Sequence, residues 1–525
     1  MKRPEGLPWH PVLIAAAIVL TAWFDAAVSP YAAFRPLAIA ILVAAALTAA
    51  GALVTRNWQL GAIGATAIIA IVWSRQLIEA GTGIAGRAGA VIGIVWVALI
   101  AAVVAVVAYL LRRRRWSRDD VTRFLNRGAA LLVVATIGFG LVSGRLPALI
   151  GDLRQGVPLE AWTVQGDDAA SATSPDIYVI LLDGYPRADV LEYAFDIDNA
   201  PFIEALGDRG FAVADAAHSD YLWTHVSVPS ALNLAYVEQI PAMLAFIEGR
   251  AARQPTLRHV VSDNEAFAIA RQNGYDAVAV ASGFEEVAPR QADVYVDSGN
   301  LNEFEISLLT STFAGAVVNA VAPDFGSGQL RERIQANLDA LPEIAAARDR
   351  PPALVFAHVP APHQPVVLRA DGAPVVVPLT DAWFADSPGE RGEDPVEFLE
   401  RYRAQLPYLS ERVLETIDAI VDASEVAPVI VLFADHGSAS VVDWNQTDPV
   451  EADPARLLER TGILFAALTP GREEVFPDDI SPVDMFRLLY DAYLGTNYGR
   501  ATPPPQGGHV APVDASVLRG GGEGP

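Results

Sequence analysis

Five apolar stretches in the first 150 residues constrain this fold more than any other feature. They fall at about 12–28, 36–54, 60–80, 89–111 and 128–150. A helix needs roughly 20 residues to cross the hydrocarbon core of a bilayer, and four of the stretches approach or reach that length. The third reaches it only if it continues through residues 74–80. We therefore predict a transmembrane domain of five helices, since a cleavable signal peptide would supply only one such stretch.

Positive charge is concentrated in this N-terminal part. Residues 1–150 hold 14 Lys and Arg against 5 Asp and Glu, whereas the remaining residues hold 23 against 57. The segment between the fourth and fifth stretches reads RRRRWSRDDVTRFLNR, and the positive-inside rule places it in the cytoplasm. This predicts a multi-pass protein of the cell membrane with a cytoplasmic N-terminus and an extracytoplasmic part after Ile150. The acidic remainder argues against nucleic acid as a partner.

The pattern changes after residue 150. Residues 151–175 are polar and predict a linker, and residues 501–525 are rich in Pro and Gly and predict a disordered tail. Between them, over 176–500, short apolar runs alternate with helical patterns. That alternation predicts an α/β domain with a largely parallel central sheet. The strand candidates are 177–182, 211–214, 277–280, 353–357, 429–433 and 463–468.

Two of the predicted strands end in acidic residues. The run VIVLFADHGS stops at Asp435 and His436, and the run DIYVILLDG stops at Asp183. Ligands of open α/β sheets bind at the carboxyl ends of the strands, so these side chains would meet at one crevice. Each strand could also be an ordinary one with an acidic cap. Together, an imidazole and carboxylates suit Zn²⁺ or Mn²⁺ better than Ca²⁺, which favours oxygen ligands alone.

Other candidate residues lie between these strand ends. Thr224 precedes a possible helix, where backbone N–H groups favour anions, and a metal would make its hydroxyl a nucleophile. The alternative for Thr224 is a helix cap. His358 ends an apolar run and His363 follows in a Pro-flanked loop, so they would bind a second cation, donate to a phosphate or a leaving group, or be structural. The chain has no cysteine, which excludes disulfides and thiolate ligands.

In order, these motifs are DG, T-x-x-S-V-P, H-x4-H and DHG, and they follow five apolar stretches. The combination resembles the alkaline-phosphatase/sulfatase-like superfamily, most closely its membrane-bound branch of lipid A phosphoethanolamine transferases and lipoteichoic acid synthases. The resemblance implies an extracytoplasmic catalytic domain and a divalent metal. It implies these residue roles: metal ligation by Asp183, Thr224, Asp435 and His436, nucleophilic attack by Thr224, and substrate binding by His358 and His363.

Two departures from the family pattern bear on the substrate. Phosphoethanolamine transferases have cysteines beside the threonine motif and a further histidine soon after DHG, whereas here the next histidine is His509. Sulfatase maturation requires Cys or Ser followed by x-Pro-x-Arg, and the segment 227–231, SVPSA, lacks the arginine. The sequence therefore favours phosphate chemistry over sulfate chemistry.

The function expected from this resemblance is a membrane-bound transferase. It would move a phosphoethanolamine or phosphoglycerol-type group from a phospholipid donor to an envelope glycan or lipid acceptor, through a phosphorylated Thr224. A hydrolase with water as the acceptor is the first alternative, with a phosphodiesterase ahead of a sulfatase. A non-catalytic membrane scaffold is the second alternative. It is weakened because the acid, threonine and Asp-His positions of the family pattern all carry residues that are competent for catalysis.

Overall fold

The computed structural model describes residues 6–26, 28–73, 102, 109, 113, 117–143, 146, 174–247, 253–347, 350–380, 383, 385, 387–505 and 508–520. By its internal contacts the chain divides into two compact units. The first, which we call the helical unit, comprises Met1–Gln155, Asn302–Pro323 and Leu379–Asp381. The second, the α/β unit, comprises Gly156–Leu301, Asp324–Pro378 and Ala382–Pro525.

The helices and strands of the described residues are as follows. The α-helices are α1 His10–Ala26, α2 Pro30–Thr55, α3 Trp58–Val72, α4 Arg118–Val142, α5 Ala188–Phe195, α6 Ala200–Asp208, α7 Thr224–Leu232, α8 Pro241–Ile247, α9 Arg253–Ser262, α10 Glu265–Gln272, α11 Glu303–Thr310, α12 Phe313–Val321, α13 Phe325–Ala346, α14 Pro388–Arg391, α15 Pro395–Ala423, α16 Pro454–Thr461, α17 Pro482–Tyr493 and α18 Val517–Gly520. The strands are β1 Ile177–Leu182, β2 Ala212–Val213, β3 Asp276–Val280, β4 Val294–Val296, β5 Ala353–Val359, β6 Val429–Phe433 and β7 Phe465–Leu468.

The apolar stretches predicted to span the membrane are partly described. Within the described residues, α2 and α4 are long and apolar enough to cross a bilayer, and α1 and α3 are shorter apolar helices. The predicted span at 89–111 lies outside the described residues apart from positions 102 and 109, and so does the predicted linker apart from 174–175. The number of five spans therefore stays a prediction.

The fifth predicted stretch differs in its bounds. Helix α4 begins at Arg118 instead of residue 128 and its described part ends at Val142, while residues 144–150 of the predicted stretch lie outside the described residues apart from position 146. The early start has a local cause, because the Ser117 hydroxyl accepts the backbone N–H of Asp120 and the Asp120 carboxylate accepts that of Ser117. This reciprocal cap fixes the first turn of a helix. Part of the arginine-rich segment is therefore helical.

Small residues let the helices of the helical unit approach closely. A Cβ atom on Gly51 of α2 would lie 2.8 Å from the Cα atom of Gly61 in α3. Such close backbone approach is typical of helix pairs in membranes, where small residues line the contact. A side chain of α4 also bonds the start of α1. Oδ1 of Asn126 accepts hydrogen bonds from the backbone N–H groups of Trp9 and His10, at 3.0 Å each.

A segment from the middle of the sequence also belongs to the helical unit. We call residues 302–323, which include α11 and α12, the returning segment. Phe304 is buried in a cluster with residues of α1, α2 and the turn between them, which are Trp23, Phe24, Val28, Ala32 and Ala33. The predicted domain boundaries, 176–500, had placed the returning segment in the catalytic domain.

The α/β unit is built on a seven-stranded sheet with the order β2-β7-β6-β1-β5-β3-β4. Strands β6, β1, β5, β3 and β4 run parallel, and β7 and β2 pair antiparallel at one edge. The predicted largely parallel sheet is therefore confirmed. Every residue of β1, β5 and β6 is buried. These three strands are neighbours, so their carboxyl ends lie side by side.

Part of the segment predicted to be disordered is described. The backbone N–H of Val510 donates to the carbonyl of Asp220 at 2.8 Å, and the Gln239 side chain donates to the carbonyl of Thr502 at 3.2 Å. Residues of the C-terminal segment thus contact the α/β unit near the stretch that leads to Thr224.

Asp220 gives the α/β unit a pH-dependent stability. Burial raises the pKa of its carboxyl to about 7, and the nearby charge of Asp484 adds to this. A folded-state pKa above the unfolded value of about 3.9 means that the folded state holds the proton longer, so stability falls as the pH rises from about 4 to 7. At pH 8 the cost is roughly 4 kcal/mol.

We expect the Asp220→Asn variant to melt at a higher temperature than the wild type at pH 8, with a smaller difference at pH 5. Thermal melting of the purified full-length protein across this pH range measures the effect. Asp208→Asn is the matched control, because Asp208 is exposed and lies on a helix of the same unit. Equal melting-temperature differences at both pH values would contradict the expectation.

Candidate metal and phosphoryl-transfer site

The first acidic residue of the site follows the central strand β1. The backbone N–H of Asp183 donates to the carbonyl of Val359 at 3.1 Å, and the N–H of His363 donates to the carbonyl of Asp183 at 2.9 Å. These two bonds join the turn after β1 to the loop after β5. Gly184 follows with a φ of +73°, a backbone conformation that residues with a side chain rarely adopt. The strand end, the glycine and the loop together fix the position of the Asp183 carboxylate.

Asp435 and His436 follow β6, and both are fully buried. Gly437 is required by space, because a Cβ atom there would lie 2.1 Å from the carbonyl oxygen of Glu459. Its N–H donates to the carbonyl of Arg460 at 2.7 Å, and the Ser219 hydroxyl donates to the carbonyl of Asp435. The backbone therefore holds the Asp-His pair from both sides.

Backbone carbonyls set the tautomers of two histidines. The Nδ1 atom of His436 lies 2.8 Å from the carbonyl oxygen of Gly437, and that of His363 lies 2.8 Å from the carbonyl oxygen of Gln364. A carbonyl oxygen can only accept, so each Nδ1 carries the hydrogen and each neutral ring has its lone pair on Nε2. This is the arrangement in which histidine binds metals, with the other ring nitrogen held by a carbonyl.

Thr224 is the first residue of α7, and its hydroxyl oxygen lies 3.1 Å from Nε2 of His436. The side chain is partly exposed, so a ligand can reach it. The positive end of the helix dipole lies at this position and favours an anion there. The hydroxyl that the sequence singled out thus lies beside the Asp-His pair, at a place suited to a phosphate.

His358, in β5, is buried against Asp183. Its Nε2 atom lies 2.9 Å from Oδ2 of Asp183, and its side chain is almost inaccessible to solvent. The ring of Phe284 packs near the imidazoles of His358 and His363, with centroid distances of 5.6 and 6.0 Å. His358 is placed to orient the carboxylate of Asp183, while His363 offers a ligand atom to the same cluster as Asp183 and His436.

Several ligand-type atoms converge between these residues. One ligand atom from each of Asp183, His363 and His436 lies within 4.8 Å of the others. Oδ1 of Asp183 is 3.7 Å and Oδ2 of Asp435 is 3.5 Å from Nε2 of His436. Among the described residues neither of these two buried oxygens has a hydrogen-bond partner. Buried carboxylate oxygens without partners are costly unless a cation binds them, so the donor set fits a divalent metal.

The charge state of Asp183 agrees with this fit. Burial alone would raise the pKa of its carboxyl, but the positive charge of the imidazoles of His363, His358 and His436 when they are protonated, together with the hydrogen bond from His358, outweighs burial and lowers the pKa to about 2. Asp183 is therefore ionised at neutral pH. Carboxylate and imidazole together form the mixed oxygen and nitrogen donor set that suits Zn²⁺ or Mn²⁺.

The structure brings together all six residues that the sequence singled out, which are Asp183, Thr224, His358, His363, Asp435 and His436. Arg460, which precedes β7, is buried and donates to the carbonyls of Leu222 at 2.7 Å and Gly437 at 3.1 Å. It thereby ties the loop before Thr224 to the loop after His436. Ser219 and Phe284 were missed, because a lone serine and a lone phenylalanine carry no motif.

No protein-family model and no curated protein sequence matches the chain. Among solved structures, the C-terminal periplasmic domain of EcEptC from Escherichia coli matches with a TM-score of 0.39 and 14% identity, covering 63% of this chain and 86% of that one. The lipoteichoic acid synthase LtaP from Listeria monocytogenes matches with a TM-score of 0.37 and 14% identity, covering 66% and 77%.

A full-length membrane protein also matches. It is the integral membrane lipooligosaccharide phosphoethanolamine transferase A from Neisseria meningitidis, with a TM-score of 0.39 and 13% identity over 91% of this chain and 78% of that one. Because every one of these TM-scores lies below 0.5, we base the function on the site itself. The motif order in the sequence resembles that of the alkaline-phosphatase/sulfatase-like superfamily independently of these matches.

Proposed function

We propose that the chain is a metal-dependent, membrane-bound transferase that moves a phosphoethanolamine or phosphoglycerol-type group from a phospholipid to an extracytoplasmic glycan or lipid. The observation that carries the proposal is the position of the Thr224 hydroxyl. It lies 3.1 Å from His436, beside a buried cluster of carboxylates and imidazoles, at a helix N-terminus. A hydroxyl in that position is suited to attack a phosphate and is not needed there as a helix cap, because the cap position is Trp223.

Each residue of the cluster then has a role. Asp183, Asp435, His436 and His363 would hold a divalent cation, Zn²⁺ or Mn²⁺, with Thr224 next to it. When bound, such a cation offsets negative charge on phosphoryl oxygens and lowers the pKa of a coordinated hydroxyl. His358 acts through Asp183 and is a positioning residue, since its Nε2 atom bonds the carboxylate and its side chain is buried. The proposal thus gives His358 a positioning role and His363 a metal-binding role, in place of the substrate-binding role expected for both from the resemblance.

The proposed reaction has two steps, transfer of the phosphoryl-linked group from the lipid to Thr224 and then from Thr224 to the acceptor. In the first, Oγ1 of Thr224 attacks the donor phosphorus, a bond from Oγ1 to phosphorus forms, and the bond from phosphorus to the diacylglycerol oxygen breaks. The diacylglycerol alkoxide takes up the proton that the threonine gives up. In the second, an acceptor hydroxyl attacks the same phosphorus, the Oγ1 bond breaks and Thr224 regains a proton. The helix dipole at Thr224 favours the anionic group throughout.

The apolar helices give this chemistry its location. We propose that the N-terminal part forms five spans with a cytoplasmic N-terminus, and that the α/β unit lies outside the cytoplasmic membrane. A site tethered to the bilayer stays close to its lipid donor. Water in place of the acceptor hydroxyl would make the same site a hydrolase.

The test is the intact mass of full-length protein purified from its native membrane. We expect part of the wild-type protein to carry an added phosphoethanolamine or phosphoglycerol mass, and Thr224→Ala to carry none. The size of the adduct names the donor headgroup. An adduct that persists in Thr224→Ala would contradict the assignment of the nucleophile. If the protein turned over neither phosphodiester nor sulfate ester substrates in the presence of Mn²⁺ or Zn²⁺, the scaffold alternative would be favoured.

A further inference from the structure

The returning segment, residues 302–323, leaves the sequence of the α/β unit and packs with the N-terminal helices. Leu308 packs against a buried cluster of α1, α2 and α3 that consists of Ala15, Val19, Ala40, Ala44 and Ile69. Glu305, which is almost completely buried, forms an ion pair with Arg35 in α2. The contacts of the segment are thus with apolar helices, of which α2 is long enough to cross a bilayer.

The composition of the segment suits a low-dielectric environment. Between Glu305 and Asp324 there is no charged residue. Helices α11 and α12 are together apolar enough for a membrane span, but they are bent by 96° at the break between them. Both ends of the segment continue in the sequence into residues of the α/β unit. The bend excludes a straight span.

Polar groups at the bend are bonded within the segment. The hydroxyls of Thr310, Ser311 and Thr312 donate to the carbonyls of Ser307, Leu308 and Leu309 at 3.2, 2.9 and 2.8 Å. Beyond the bend, the Asn319 side chain bonds both backbone groups of Leu379, at 2.7 and 3.0 Å. Such internal bonding of polar groups is what lipid requires, because the hydrocarbon region offers no water to bond them.

One face of α12 is apolar and exposed. Val317 and Val321 are one turn apart and are 59% and 76% exposed. Residues at this spacing lie on the same face of a helix. The two described helices of this unit that are long enough to cross a bilayer also expose large apolar side chains, such as Leu53 of α2 and Val134 of α4. The exposed face of α12 therefore belongs to the same unit, and to the same kind of surface, as helices that would face lipid.

From these observations we propose that α11 and α12 form an interfacial hairpin that inserts into the leaflet in which α1 ends and α2 begins, with Val317 and Val321 in contact with lipid. The segment contacts the end of α1 and the start of α2, through Phe304 and Glu305. By the predicted orientation this is the extracytoplasmic end of both helices. The proposal rests on the proposed membrane location and is independent of the phosphoryl-transfer chemistry.

The absence of cysteine allows a direct test. Val317→Cys and Val321→Cys are introduced singly into the full-length protein, labelled with an environment-sensitive fluorophore and reconstituted in phosphatidylcholine vesicles with or without brominated acyl chains. The matched controls on the α/β unit are Val396→Cys and Val450→Cys, at positions 63% and 91% exposed. Val134→Cys of α4 serves as the reference for lipid contact.

We expect blue-shifted emission and a loss of fluorescence in brominated lipid at 317 and 321, as at 134, and neither effect at 396 and 450. Labels at 317 and 321 that iodide quenches as strongly as the controls would overturn the hairpin. Blue-shifted emission without quenching by brominated lipid would also overturn it, because a second copy of the protein would then cover the face. An aqueous label at 134 would overturn the membrane location itself.

Discussion

Replacing Thr224 by alanine is expected to lower turnover of a lipid phosphodiester by three orders of magnitude or more, roughly the scale of losing an enzyme nucleophile. The reason is that the Thr224 hydroxyl is 3.1 Å from His436 at the start of α7, and alanine supplies no atom that can form the bond to phosphorus. Serine keeps the hydroxyl, so Thr224→Ser should retain activity within roughly tenfold. Steady-state turnover of the purified full-length protein measures both variants.

Ser230→Ala is the matched control for this experiment. Ser230 lies on the same helix, and its hydroxyl donates to the carbonyl of Ser227 at 2.7 Å, within the helix and away from the cluster. Loss of that hydroxyl should leave turnover near the wild-type value. If Thr224→Ala and Ser230→Ala lowered turnover equally, the effect would be one of helix stability, and Thr224 would not be the nucleophile.

The second large effect is expected at Asp183. Asp183→Asn removes the negative charge of a buried carboxylate. Its Oδ1 atom lies 3.7 Å from Nε2 of His436. We expect the bound metal in the purified protein to fall to the level of EDTA-treated protein, and turnover to fall with it. Metal content by mass spectrometry of the elements gives a readout that does not depend on activity. Adding Zn²⁺ or Mn²⁺ should restore turnover to EDTA-treated wild type but not to the variant.

Two histidines calibrate the metal experiment. His358→Gln removes a side chain that bonds the Asp183 carboxylate but is not itself proposed as a metal ligand. It should therefore weaken metal affinity by roughly 10- to 100-fold, the usual range for groups that support a ligand. His259→Ala changes an exposed histidine that pairs with Asp263 and should have no effect. Unchanged metal content in Asp183→Asn would show that the Asp183 carboxylate is not a metal ligand, whatever the turnover.

Much of the candidate site could be predicted because local sequence determines it. A buried parallel strand needs a continuous apolar run, and the residue that ends the run stands at the carboxyl edge of the sheet. That rule located Asp183 and Asp435, and the structure places them after two adjacent strands, β1 and β6. The two strands are separated by about 250 residues of sequence. Only their common pattern, an apolar run that ends in an acidic residue, indicated that the two strand ends meet.

Other features could not be predicted because they depend on distant partners. Strand β4 has three residues, too few for an alternating pattern to be recognised. The role of Arg460 depends on two carbonyls far from it in sequence or in another loop, those of Leu222 and Gly437, to which its guanidinium donates. The returning segment lies within the predicted catalytic domain, 176–500, and no helix is predicted for it. Its lack of charge was visible, but the cluster that buries Phe304 lies some 270 residues away in sequence, in α1, α2 and the turn between them.

The burial of Phe304 among side chains of α1 and α2 also bears on how the protein can be divided. A soluble fragment that begins after the linker would carry the returning segment without the helices that cover it. Phe304 and Leu308 would then face water, and Glu305 would lose the partner that it has in Arg35. Such a fragment exposes an adhesive apolar surface and favours aggregation. A single proteolytic cut in the linker, by the same reasoning, would leave the two pieces bound to each other.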